Sequence, residues 1–373
     1  MDFNLSDEQQ MLRDAARRFA DEQYSFEQRK HVLASRGFSE ANWNSYAEFG
    51  WLGLGLPEDV GGLACSFVET AILVQELGRA LVLEPYTTTA ILCARIVDAS
   101  QSSEQRSALL PELAEGKLRL ALAHSEADAR YELSAVRATQ AKSDDNGYVL
   151  SGIKMLAFDA PTAHKLIVSA ALDHGFGLFV VPQDAAGVQM TAYPLIDGTY
   201  AADIRFDSVR VPKAALLVAP DRSLQVLEEA MDHTVLAQVA EAIGAMEAVL
   251  DITSAYIKQR VQFGQPIGKF QALQHRMAEM FVEVQESRSI LYRGMALLDA
   301  EPAERKRAVS AAKVVASNAG KIVGAQGIQL HGGIGMTEEY AVGHYYKRLL
   351  ALEKRYGDTD HHISRYLQCE ARK

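Results

Sequence analysis

Short stretches of this chain hold the residue types that chemistry needs. Between Tyr356 and His362 the sequence gathers Asp358, Asp360, His361 and His362, and Asp358 and His362 would share one face of a helix, as a pair of metal ligands can. The same acids also fit the capped start of a helix, whose N-terminal end favours negative charge, and no metal site is expected. Gln329-Leu330-His331-Gly332-Gly333-Ile334-Gly335 closes a long run rich in Ala and Val. Glycines there either cap a helix or let a ligand approach the backbone closely. A nicotinamide fingerprint explains this segment poorly, because no strand precedes it and no helix-opening G-x-G-x-x-G follows. Upstream, Arg260-Val261-Gln262-Phe263-Gly264 sets a cation beside a turn. His124, His164, His174, His233, His275 and His344 are scattered singly and read as structural or surface residues.

Taken together, Arg260–Ile267 and Gln329–Tyr340 resemble, in order and separation, two segments of the acyl-CoA dehydrogenase superfamily, flavoproteins that desaturate acyl-CoA thioesters. The resemblance implies FAD as cofactor and an acyl-CoA as substrate. It also implies a carboxylate that removes the α-proton while the β-hydride passes to flavin N5, with donors for the developing enolate oxygen. By the same matching Arg260, Phe263, Gln271, Gln329, Gly332 and Gly333 are expected to hold the FAD pyrophosphate and adenosine of a neighbouring subunit, where arginine and open backbone suit an anion. Ser125 is the matching residue of the flavin loop in the middle domain.

The chain departs from the family elsewhere. The family's catalytic glutamate falls on Gly357, and Asp358, one residue on and shorter, is the nearest substitute base. A second family position for the base falls on Thr234 and Val235, neither of which can take a proton, and Glu228, Glu229 and Asp232 nearby read as helix-start acids. Where relatives carry a Thr-Glu-Pro-type flavin loop, this chain reads Ser125-Glu126-Ala127-Asp128-Ala129-Arg130-Tyr131. The second flavin strand reads Met155-Leu156-Ala157-Phe158-Asp159, without the ring-stacking aromatic or the hydroxyl near N5. What a neighbour's FAD would need is kept, and what a flavin ring and base of its own would need is lost. The wording around Phe270–Arg276 and Tyr340–Arg348 resembles small subunits of pimeloyl-CoA dehydrogenase type. That implies a heterotetramer with two copies each of this chain and a homologous large subunit, passing electrons to an electron-transfer flavoprotein. The alternatives are a homotetramer using Asp358 and a structural or CoA-binding pseudoenzyme.

The elements expected to position these residues form an α+β, acyl-CoA dehydrogenase-like layout of three domains. Residues 1–118 read as a helical domain: Ser6 before Glu8-Gln9 opens a helix, Phe67–Leu81 carries an apolar stripe, and Pro57–Gly62 breaks between them. Residues 119–221 read as a β-barrel or sandwich, with strands at Leu118–His124, Tyr148–Ile153, Leu166–Ala171, Leu178–Val181 and Ala202–Phe206, and a hairpin turn at Asp144–Gly147. Residues 222–373 read as a four-helix bundle over 223–259, 268–298, 303–331 and 360–370.

The chain's 373 residues suffice for more than one core, and a formal charge of −10 argues against a nucleic-acid surface. Cys65, Cys93 and Cys369 form neither a disulfide framework nor a zinc pattern, and no apolar run is long enough for a membrane span. A cytoplasmic enzyme is expected.

Overall fold

A computed structural model describes residues 4–370. The helices are α1 (Asp7–Gln23), α2 (Phe26–Ala34), α3 (Glu40–Glu48), α4 (Phe67–Arg79), α5 (Ala94–Asp98), α6 (Ser103–Ala114), α7 (Pro220–Gln259), α8 (Gln271–Ala296), α9 (Pro302–His331), α10 (Ala341–Lys354) and α11 (Thr359–Glu370). Strands β1 (Leu120–Ala123), β2 (Gln140–Asp144), β3 (Gly147–Phe158), β4 (Lys165–Ala171), β5 (Phe176–Pro182), β6 (Val188–Pro194), β7 (Tyr200–Pro212) and β8 (Leu216–Val218) lie between α6 and α7; β9 (Val261–Gln262) and β10 (Gln265–Pro266) lie between α7 and α8. A helical first part, a middle β region and a helical last part are the expected α+β layout. Two compact units result: a helical one built from the residues through His31, Phe67–Val82 and the residues from Val235 onward, and a sheet unit built from Val32–Ser66 and Leu83–Thr234.

In the helical unit α1 starts where Ser6 and Gln9 form a reciprocal capping box, Gln9 N–H donating to Ser6 Oγ at 3.2 Å and Ser6 N–H to Gln9 Oε1 at 3.1 Å. The centre of the bundle holds a buried ion pair, Arg348 Nε donating to Glu241 Oε1 at 2.6 Å, which ties α10 to α7. A burial this deep is sustainable only because the charges meet each other. The last part of the chain differs from the four-helix expectation in one respect: α10 is an additional helix. Its glycine and paired tyrosines obscure the apolar stripe, yet Val342, Tyr345, Leu349 and Leu352 are buried at helical spacing.

The sheet unit carries one eight-stranded sheet in the order β6-β7-β3-β2-β4-β5-β8, with β1 parallel to β4. The hairpin turn falls at Asp145-Asn146, where Asp144 Oδ1 accepts the Asn146 N–H at 3.0 Å. The sequence predicts no strand at β2, β6 or β8. β2 is mostly polar and largely exposed, β6 buries none of its seven residues, and three-residue β8 is too short for a period. Helices of this unit surround buried Trp43 and Trp51, with Tyr46 between them at ring distances of 6.0 and 5.5 Å and Trp43 Nε1 donating to Gly116 O at 3.0 Å. Between α4 and α5, Thr87–Cys93 forms a π-helix.

Candidate functional site

The two segments singled out in the sequence meet at one end of the helical unit. α7 ends at Gln259, and Arg260 leads into the β9–β10 hairpin, whose turn residues Phe263 (φ 53°) and Gly264 (φ 78°) are both left-handed, as a tight two-residue hairpin turn requires. Phe263 is 90% exposed at the tip, where its ring meets the edge of Phe270 (6.1 Å between ring centres). One turn back, Tyr256 reaches the end of α9: its hydroxyl donates to His331 O at 3.3 Å and its ring lies 4.4 Å from the His331 imidazole. Tyr340 closes the cluster 5.0 Å from His331. Tyr256 and His331 thus clamp Arg260 on one side and Gln329, Gly332 and Gly333 on the other into one surface. That aromatic clamp was missed in the sequence, where Tyr256 has no motif around it.

This surface is open. Arg260, Gln271, Gln329, Gly332 and Gly333 are exposed, and Arg260, Gln271 and Gln329 make no side-chain hydrogen bond to another described residue. A Cβ added at Gly332 or Gly333 would meet nothing within 4 Å, so the backbone there can receive a ligand. An arginine, two amides and an accessible backbone at a helix end form a donor set that fits a pyrophosphate and a nucleoside. His331 itself faces inward, its Nδ1 2.7 Å from Gly327 O and its Nε2 buried without a partner, and burial holds its pKa down.

Gly357 lies elsewhere in the same unit, in the connector from α10 to α11. Tyr356 (φ 60°) and Gly357 (φ 117°) both turn left-handed, and a Cβ added at Gly357 would lie 2.6 Å from His361 Cδ2 and 2.6 Å from His362 Nε2. Asp358 is the N-cap of α11: its Oδ1 accepts the His361 N–H at 3.0 Å, and its Oδ2 lies 3.5 Å from Lys354 Nζ. His362 is buried against Ser310 Oγ (3.2 Å) and Tyr356 O (3.3 Å) and is held neutral by burial, so it serves the connector's shape. Beneath the connector Lys313 Nζ donates to Leu352 O at 2.5 Å, Arg355 O at 3.0 Å and Gln238 Oε1 at 3.0 Å, and burial pushes its pKa down to about 7. Among the described residues no group of three or more His, Cys, Asp or Glu is placed to hold a metal ion. Thr234 Oγ1 donates to Ala230 O at 2.7 Å, an ordinary helix back-bond.

In the sheet unit Ser125 is half buried just past β1, its carbonyl accepting the Met155 N–H at 2.8 Å. Its neighbour Glu126, passed over in the sequence, anchors the loop. The Glu126 carboxylate accepts three successive backbone donors, Arg137 N, Ala138 N and Thr139 N at 2.8, 2.7 and 2.9 Å, and pairs with fully buried Lys154 Nζ at 2.8 Å. Burial works against the charge, but Lys154 and those N–H groups overrule it and hold the carboxyl pKa down to about 2. The β3–β7 ladder slips between Lys154 and Ala157, leaving Leu156 left-handed at φ 51°.

Among the described residues, no helix is long and apolar enough to cross a membrane. The chain matches the family descriptions "Acyl-CoA dehydrogenase, N-terminal domain" over residues 6–117, "middle domain" over 121–209 and "C-terminal domain" over 223–366. It is 31% identical to the probable acyl-CoA dehydrogenase YngJ of Bacillus subtilis across 92% of each chain. It is 30% identical to the mitochondrial isovaleryl-CoA dehydrogenase of Solanum tuberosum, across 91% of this chain and 85% of that one. The solved structure of the steroid ACAD Tcur3481-Tcur3483 is similar at a TM-score of 0.88 and 28% identity, covering 98% of each chain. The chain therefore belongs to the acyl-CoA dehydrogenase family, oxidoreductases acting on CH–CH bonds with FAD as cofactor.

Proposed function

We propose that this chain is the small subunit of a heteromeric acyl-CoA dehydrogenase: it completes an FAD site, and a homologous large subunit supplies the proton-abstracting carboxylate and the flavin-ring pocket. The observation that carries this reading is Gly357. At the place that matches the family's glutamate, the backbone is left-handed and the space a side chain would need is filled by His361 and His362. Asp358 does not make good the loss, since its carboxylate caps α11 and faces Lys354. A homotetramer using Asp358 as base would have to break both contacts. A pseudoenzyme without flavin would have no use for the free side chains gathered at Arg260 and Gln329.

When bound, FAD supplies the acceptor for the β-hydride. From this chain, Arg260, Gln271 and Gln329 with the open backbone of Gly332 and Gly333 would hold its phosphates and adenosine, and Phe263 would cover them. The limits 1–118, 119–221 and 222–373 serve as the proposed domains. Transfer of electrons to an electron-transfer flavoprotein, a cytoplasmic location and a role in lipid metabolism belong to the same proposal. The two-name steroid ACAD among the similar structures supports both a paired enzyme and a bulky acyl group such as a cyclic acid or sterol side chain.

The test is the flavin content and acyl-CoA dehydrogenase activity of this chain purified alone and co-expressed with a homologous large subunit. Yellow, active protein only from the pair, with both properties lost in Arg260→Ala, is the expected result. Full flavin and turnover from this chain alone would overturn the proposal.

A further inference from the structure

Both backbone donors of the β3 bulge are already spent inside the sheet unit. The Met155 N–H donates to Ser125 O at 2.8 Å, and the Leu156 N–H donates to Asp203 Oδ1 at 3.0 Å. The same carboxylate oxygen accepts the Tyr193 hydroxyl at 2.8 Å from the adjoining strand β6, so the acid is fixed from two sides. Outward the bulge presents Met155 and Leu156, 38% and 41% exposed and without a side-chain donor. The polar edge of an isoalloxazine ring carries carbonyl and ring-nitrogen acceptors, and burying it against this surface would leave them unsatisfied. These residues do not fit a flavin ring, whereas those around Arg260 fit the adenosine half.

We infer that Asp203, steadied by Tyr193, locks the Leu156 bulge shut and so restricts a heteromer to one FAD per pair of chains. Asp203 acts as a positioning residue: at the exposed bulge it occupies a backbone donor that would otherwise be open, and it touches neither substrate nor cofactor. The inference rests on the heteromeric reading above. It adds the residues that decide how many flavins the assembly holds.

The experiment is the molar ratio of FAD to heterodimer in the co-purified complex, from flavin absorbance against protein, together with hydrogen exchange of the peptide containing Leu156. Wild type should hold one FAD per pair with the Leu156 amide protected. Asp203→Ala combined with Leu156→Thr should lose that protection and raise the ratio above one. Tyr193→Phe, which keeps the carboxylate, should loosen protection by a smaller factor and gives the readout if the double variant does not fold. Two FAD in the wild-type pair, a ratio fixed at one in a folded double variant, or unchanged protection in Tyr193→Phe would each overturn the lock. Failure of the heteromeric reading shows differently, as a chain that carries FAD alone or a pair that keeps its FAD in Arg260→Ala.

Discussion

Two loops of the helical unit are built around glycine, and they use it for opposite ends. At Gly332 and Gly333 the space beside the backbone is empty to 4 Å, and the side chains of Arg260, Gln271 and Gln329 make no hydrogen bond to another described residue. At Gly357 that space is full, with two imidazoles 2.6 Å from where a side chain would begin. The first glycines leave room for something from outside. The second leaves room for the protein itself, because the connector can fold this tightly only where no Cβ intervenes. A glycine at the position that the resemblance assigns to a catalytic acid is therefore more than a deletion, since here the surrounding residues have closed over it.

The comparison breaks most directly at Gly357. Gly357→Glu would force a side chain into a left-handed position against His361 and His362, and should cost about 3 kcal/mol of stability, read from the urea midpoint, without creating activity in this chain alone. A stable, active variant would mean the connector is not closed. The connector is also tied from below by Lys313, whose pKa burial pushes down to about 7 while the unfolded side chain titrates at ~10.4. Between those values the unfolded chain binds the extra proton, so this group makes stability rise with pH from about 7 upward and contributes no slope below. Lys313→Met should flatten the rise by on the order of 1 kcal/mol per pH unit, measured by urea unfolding at neutral and alkaline pH.

The open loop offers gentler tests. The Cβ of Gly333→Val would meet nothing within 4 Å, so the fold should keep its melting temperature while the pair's FAD affinity falls about tenfold, near 1.4 kcal/mol, by equilibrium dialysis. An unchanged affinity would show that nothing approaches this backbone. Tyr256→Phe removes one hydroxyl from the clamp and should cost about 1 kcal/mol or less, with a matching small loss of FAD, since the ring contact with His331 remains.

Much of this was legible in the sequence, and the rest was not for physical reasons. The long helices and the buried strands announced themselves by period, as in Phe67–Arg79 and Lys165–Ala171, because burial on one face or both writes apolar residues at fixed spacing. Strands β2 and β6 wrote no such pattern, since pairing within the sheet rather than burial defines them. The candidates Arg260, Gln329, Gly332 and Gly333 were visible as motifs, and that Tyr256 and His331 join them was not, because contacts between helix ends leave no local spacing. Glu126 stood out in no motif, yet its four donors make it the anchor of its loop. The resemblance made Gly357 a candidate for a missing acid, but only the positions of His361 and His362 reveal that the space beside it is filled.

The placement of Trp43 and Trp51 carries a practical consequence. They are the chain's two tryptophans, and both lie buried in the sheet unit, in edge and tilted ring contact through Tyr46. Tryptophan emission thus gauges that unit alone, and the helical unit is dark at those wavelengths. A denaturation curve followed by emission reports the sheet unit, whereas one followed by helical circular dichroism is weighted toward the helical unit, which holds most of the helix. If they coincide the two units melt as one cooperative body, and if they separate the gap between midpoints measures how independently the bundle loosens.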